Sequence, residues 1–471
     1  MNKPAGLEIN ARCFFEAFVV VLILTFLPFK AIGFTIPFIF LGILLGRSRS
    51  ADITKRLILL TAACGVILLF YYIVFHFEAH HFILSNGILS FISYSSFLVL
   101  FALPSQITSI KYNYERYARL ALPIIAFEGV YGILQRVLSS LRGINHGDLV
   151  EGTISPFSVF IGSTSGFGNQ FYAMNMIFLL TFCFPFVYHY RKGIIAFGFG
   201  VLGVVLASVG HVFYSLVFAT VTTIVFYEAS SLLVNPKRLL VVATVPLILL
   251  VALAVLDEDV FNDASRQAKN FLDGKTPKSQ AIGIVFTRVS DEYPSMHFIG
   301  LGPGQYSSRA GIIASGQYGS LSEFFTRLPF LNLGIPEAFK EHVLVYWNDY
   351  KKNSGYGNST MNRPFLSLLS LYAEYGAMVF ITLLLVGIYL ISRARSAYRN
   401  MQGKRSAYTL VPYSFSIMLL FLLMIGVYEN YYEAPQGVFV GALLIYLSFM
   451  ISTGKQLTST TIRRTHHAPA V

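Results

Sequence analysis

Charge is scarce in this sequence. Only 12% of its 471 residues are Asp, Glu, Lys or Arg, 55% are hydrophobic, and mean hydropathy is +0.62. A soluble chain of this length needs more charge to cover its surface, so the composition excludes an ordinary globular enzyme and points to a polytopic membrane protein. Cysteine is scarcer still. The three present, Cys13, Cys64 and Cys183, all lie in apolar runs, which excludes a disulfide framework and shows no metal-ligand spacing. There is no short internal repeat and no nucleic-acid recognition motif. No small-residue cleavage site follows the first apolar run, so that run reads as a retained span rather than a signal peptide.

What is abundant is apolar sequence in stretches near the length that crosses a bilayer, roughly 17–25 residues. Twelve spans are expected: 12–29, 31–46, 57–76, 86–103, 118–137, 171–190, 194–209, 211–227, 239–256, 365–391, 409–428 and 435–452, with 31–46 and 194–209 short. With the N-terminus cytoplasmic, the inner connections include RSRSADITKR, KYNYERYAR, YRKG, NPKR and SRARSAYRNMQGKR. Of 35 Lys and Arg, 21 then fall inside, three in short outer connections and 11 in one long outer loop. This is the positive-inside pattern, and it places both termini in the cytoplasm. The net charge of +12 is thereby explained by topology, without nucleic acid.

The expected organisation is an all-α transmembrane bundle over 1–256, a large loop over 257–364, further spans over 365–452 and a cytoplasmic tail over 453–471. The loop holds 11 basic and 11 acidic residues, a mixture unlike a charged tail. Within it, PEAFKEHVLVYWNDYKK begins with a proline suited to a first helical turn. Phe339, Val343 and Trp347 share one face there, for packing on the bundle or for the membrane interface.

An ionisable group inside a span costs about 2.5–3.5 kcal/mol on insertion scales, so each one calls for a reason. Glu128, Tyr131 and Gln135 share a helix face with Arg136 beside them. That face either makes a helix–helix hydrogen-bond cluster or lines a polar cavity. Glu374 lies about three turns into its span, beside the small residues Ala373 and Gly376. Glu16 sits near a span end and can snorkel. His211 lies at a very short hairpin, where a capping role is the ordinary one.

The segment HFIGLGPGQYSSR, from His297 to Arg309, places three glycines and a proline within five positions. Glycines supply positive φ, and successive N–H groups in such a turn form a nest for anions, pyrophosphate included; a plain tight turn is the simpler reading. Arg288 precedes the turn and Arg309 follows it, both suited to holding a diphosphate.

With these features the chain resembles the O-antigen ligase and polysaccharide polymerase superfamily of integral membrane glycosyltransferases. The likeness runs over about 118–391. It comprises Arg288 before a turn containing Gly300, Gly302 and Gly304, LYAEYG with Glu374 and Gly376 after the loop, and the upstream elements GFGNQFYAM and VYGILQ. Two features of the family's ligases are missing. The span after the loop opens as NSTMNRPFLSLL, with Arg363 and no histidine, and SVGHVF offers Ser208 and His211 without the arginine of the Ser-x-Arg element. Polymerases of the superfamily are more divergent, so these departures bear less on them.

The resemblance implies a fold of the C-type glycosyltransferase class. It also implies polymerisation: transfer of a glycan from a polyprenyl diphosphate carrier to another lipid-linked repeat unit, on the outer face of the cytoplasmic (inner) membrane. Such an enzyme works among membrane lipids, with a chain-length regulator and a flippase of the same pathway as partners. Cofactor and metal are not required, because the leaving group is already good. Arg288, Arg309, Gly300, Gly302 and Gly304 would serve the diphosphate or glycan. Glu374, His211 and His297 are the candidate base or its orienting partner. Arg363 would act electrostatically, and Arg136 and Glu128 would line the substrate cavity. A ligase acting on a lipid or protein acceptor is the alternative within this class. A transporter of lipid-linked oligosaccharide, with Glu128 as its buried site, is the alternative outside it.

Overall fold

The computed structural model describes residues 11–28, 30–48, 51–76, 81–103, 114–144, 149–162, 168–234, 266, 269–318, 320–328, 331–353, 363–402 and 406–453. Every regular element among them is helical, and apolar runs of near-span length explain why. The first nine long helices are α1 (Ala11–Thr25), α2 (Lys30–Ser48), α3 (Ala51–His76), α4 (Leu84–Ser93), α5 (Ser95–Ala102), α6 (Tyr114–Leu141), α7 (Gly168–Cys183), α8 (Arg191–Leu206) and α9 (Gly210–Val234). The long connection contributes α10 (Pro277–Ile284) and α11 (Val345–Asn353). The C-terminal part adds α12 (Ser367–Met401), α13 (Val411–Ile425) and α14 (Pro435–Thr453).

Seven helices among the described residues are long and apolar enough to cross a membrane, and the pair α4 and α5, bent by 69°, makes an eighth if counted as one span. The expected spans at 12–29 and 194–209 are the shorter helices α1 and α8, and the expected span at 31–46 lies on α2. The expected span at 239–256 and the tail lie outside the described residues.

The bundle is organised around α7 and α14, whose residues are almost all buried. Hydrogen bonds pin these two helices together and to α1. Asn175 donates Nδ2–H to the carbonyl of Gln436 at 2.9 Å, and Gln436 donates to the carbonyls of Thr25 (3.2 Å) and Leu27 (3.0 Å). Helices α6 and α8 approach so closely that a Cβ on Gly129 would stand 2.5 Å from the carbonyl of Phe199, which only a glycine accommodates. Glu16 pairs with Arg12 at 3.0 Å and with Arg47, so it needs no deeper role.

The long connection is a packed unit. Val285, Val289, Met296, Tyr306, Phe339, Val343, Trp347 and Phe365 form its apolar core. The shared face of Phe339, Val343 and Trp347 therefore packs inward, and the Trp347 and Phe365 rings meet edge to face at 4.8 Å. Two π-helical turns, Val285–Val289 and Lys340–Leu344, interrupt the helices of this unit. Arg288 stands exposed on the first of them.

Candidate functional site

The glycine stretch lies against α12. Gly300, Gly302 and Gly304 all take positive φ (78°, 95° and 74°), and so does Gly376 (79°), where α12 is broken. The break releases carbonyls that a continuous helix would use. Leu301 donates its N–H to the carbonyl of Ala373 at 2.8 Å, and Gly302 to that of Glu374 at 2.9 Å. The Glu374 carboxylate then accepts from the backbone N–H groups of Gly304 (2.7 Å), Tyr306 (3.0 Å) and Ser308 (3.2 Å). Side chains are excluded on both surfaces. A Cβ on Gly300 would come within 2.3 Å of the Glu374 backbone, and one on Gly376 within 2.2 Å of the Phe298 carbonyl.

The stretch is thus an anion nest, and the anion it holds is the chain's own carboxylate. This corrects the expectation that Gly300, Gly302 and Gly304 present their N–H groups to a diphosphate. It also corrects the reading of Glu374 as a base, since its side chain is fully buried with both oxygens engaged.

The face of Glu128, Tyr131 and Gln135 makes a clasp rather than a cavity lining. Glu128 accepts from the backbone N–H of Thr153 at 3.0 Å and from its hydroxyl. Gln135 accepts from the N–H groups of Glu151 (3.0 Å) and Gly152 (2.8 Å), and Tyr131 donates to the carbonyl of Pro156 at 2.9 Å. Arg136 is half-buried beside them. Glu128→Ala would take the acceptor from the half-buried Thr153 N–H and leave its hydroxyl only the Phe26 carbonyl at 2.9 Å, at about 1 kcal/mol. We expect a lower melting temperature of the purified variant, read by thermal unfolding beside wild type.

A second polar centre forms where the long connection meets the hairpin between α13 and α14, residues 426–434. Arg309 is buried, donates Nη2–H to the carbonyl of Asn430 at 2.9 Å, and stacks its guanidinium 4.8 Å from the centre of the Tyr318 ring. Its backbone N–H meets the Glu433 carboxylate, which Tyr94 also reaches at 3.0 Å from the α4–α5 bend. Asn430 donates to the carbonyl of Ser307 at 2.6 Å, tying the hairpin to the glycine stretch. A small cleft opens here, lined by Arg309, Arg363, Glu429, Asn430, Gln317, Tyr318, Trp347 and Phe365. At its edge Lys351 sits 3.5 Å from the Trp347 ring centre and donates to Gln317 at 2.8 Å.

Behind the cleft Lys278 lies 3.3 Å from the Glu429 carboxylate, and both are buried. Burial pushes the Glu429 carboxyl above its ordinary range, opposed by the charges of Lys278 and Arg363. Burial pushes the Lys278 ammonium down, opposed by Glu429. Glu433 is pushed up to about 8, first by burial and then by the Glu374 carboxylate.

Of the residues singled out in the sequence, Arg309 and Arg363 converge on this cleft, and His211 supports the hairpin from behind. His211 Nε2 is 2.7 Å from the Tyr431 hydroxyl, which lies 2.9 Å from Gln170 Oε1. With the tyrosine proton given to Gln170, His211 donates in its bond. It orients Tyr431 and does not reach the cleft, as a base would have to. His297 pairs instead with Tyr372 of α12 at 2.6 Å, away from the cleft lining. Exposed Arg288 is likewise not part of that lining.

Sequence reasoning missed Glu429, Lys278 and Tyr318. The available signal was YENYYEAP, where two carboxylates and three tyrosines crowd one short connection. Elsewhere, Glu292, Glu341 and His342 form a surface group close enough to share an ion, with His342 2.8 Å from Glu292.

Two guanidiniums, a buried carboxylate and an amide together can hold an anion and accept a proton. The chain itself matches no family model, no curated protein and no solved structure.

Proposed function

We propose that the protein is an integral membrane glycosyltransferase that polymerises polyprenyl diphosphate-linked oligosaccharide at the outer face of the cytoplasmic membrane. The observation that carries this reading is the convergence of Arg309, Arg363 and Glu429 with Trp347 and Tyr318 around one cleft. Arg309 and Arg363 bind the diphosphate of the donor. Gln317 offers the sugar a hydrogen-bonding amide, while Trp347 and Tyr318, covered by Lys351 and Arg309, wall the cleft.

In the transfer, an acceptor hydroxyl oxygen bonds to the anomeric carbon as the bond from that carbon to the diphosphate oxygen breaks. The bonding pair leaves with the diphosphate, stabilised by the guanidiniums, and the hydroxyl proton passes to Glu429. A transporter reading centred on Glu128 finds no support in its environment, because both carboxylate oxygens are engaged by Thr153.

The test is gel analysis of surface glycan chain length in cells lacking the gene, complemented with wild type, Arg363→Ala or Arg288→Ala. We expect wild type to restore a ladder and Arg363→Ala to leave a single repeat. Restoration by Arg363→Ala but not by Arg288→Ala would move the diphosphate to the exposed π turn. Full-length polymer held on its carrier in the deletion would mean a ligase, and an unchanged ladder would overturn the enzyme reading.

A further inference from the structure

Lys278 stands where its charge is least welcome. It is the second residue of α10, behind the N-cap Thr276 and Pro277. The start of this helix is built firmly, since Thr276 Oγ1 accepts from the Ser279 N–H at 3.1 Å and Ser279 Oγ accepts from the Thr276 N–H at 3.2 Å. A cation at a helix N-terminus faces the positive end of the dipole, and burial adds a desolvation cost.

Yet all three ammonium hydrogens are placed on acceptors: the Glu429 carboxylate, the carbonyl of Tyr428 and, at 3.4 Å, the carbonyl of Phe365. Three bonds are the full complement of a lysine. Two of them hold the backbone and side chain of consecutive hairpin residues, so they fix where the Glu429 carboxylate points.

We propose that Lys278 is the positioning residue for Glu429, holding that carboxylate in place and charged from the far side of the cleft. The proposal rests on the reading of Glu429 as the proton acceptor. The other ionisable groups around the pair are Arg309 and Arg363 of the cleft, Tyr318, Glu433 and Tyr431 of the hairpin, and His211 of α9. Lys278 pairs with the Glu429 carboxylate at 3.3 Å. Removing its charge makes Glu429 bind its proton more tightly. A reaction that needs the carboxylate then loses its acidic limb at higher pH.

The experiment is a pH titration of the purified full-length protein by difference infrared spectroscopy, with Glu429→Gln identifying the band of the protonated Glu429 carboxyl. In Lys278→Met the band should persist to a pH at least one unit higher than in wild type, and Lys278→Arg should return it. The acidic limb of glycan transfer should move with it. An unchanged midpoint in Lys278→Met, or no return with arginine, overturns the proposal. If Lys278→Met does not accumulate, the double variant Lys278→Met/Glu429→Gln decides. Recovery of the double variant supports the pairing, and equal loss overturns it. The infrared midpoint is independent of transfer activity, so a shifted midpoint with an unaffected glycan ladder in Glu429→Gln would remove the catalytic reading alone.

Discussion

Glu374→Ala should leave almost no folded protein in the membrane. The substitution takes the acceptor away from three buried backbone N–H groups, those of Gly304, Tyr306 and Ser308. Each buried donor left unmade costs about 1–3 kcal/mol. The three together are comparable to a whole stability margin of about 5–15 kcal/mol. Glu374→Gln is milder, since one oxygen remains, but its amide group meets N–H donors with further donors of its own. The order of accumulation should be wild type, then Glu374→Gln, then Glu374→Ala, measured by fluorescence-detected size exclusion of tagged protein. Accumulation of Glu374→Ala at the wild-type level would show that the nest does not hold the stretch in place.

Glu429→Gln should give the opposite phenotype, a protein that accumulates and does not act. Glutamine keeps an oxygen for Lys278, and the lysine, already pushed down by burial, can shed its proton. In the proposed reaction what is lost is the proton acceptor, worth about 10²–10⁴ in rate for general base catalysis. Transfer measured in membranes with lipid-linked repeat units should fall by that factor, with the melting temperature near that of wild type. Because Glu429 must be ionised to act and its pKa is raised, wild-type activity should fall as pH drops through that raised value. Full activity in Glu429→Gln would remove the carboxylate from the mechanism.

Some of this was legible in the sequence and some was not, for reasons of distance. Helical architecture follows from apolar runs alone, which is why the expected segments that fall on described residues coincide with helices, 86–103 as the bent pair α4 and α5. The number of spans does not follow, because α1 and α8 fall short of the length that decides the matter and a bend divides α4 from α5. The glycine stretch announced an anion nest through its local pattern. Its anion came from Glu374, 70 positions from Gly304 on another element, which no local pattern reveals. Arg309 and Arg363 stood out because each cation flanked something conspicuous. The pair of Lys278 and Glu429 joins residues 151 positions apart, and each is unremarkable in its own neighbourhood.

The break at Gly376 carries a consequence for how the protein is made. Gly376 lies nine residues into α12, about 13 Å below its first turn at 1.5 Å per residue. Until Leu301 and Gly302 arrive, the carbonyls of Ala373 and Glu374 face a nonpolar surround with nothing to bond. The glycine stretch precedes α12 in the chain, so it has already left the ribosome when the helix enters the bilayer. Insertion of α12 and docking of the glycine stretch are therefore one coupled event. A nascent chain stalled between them would present a broken helix to the lipid, the kind of intermediate that membrane quality control removes.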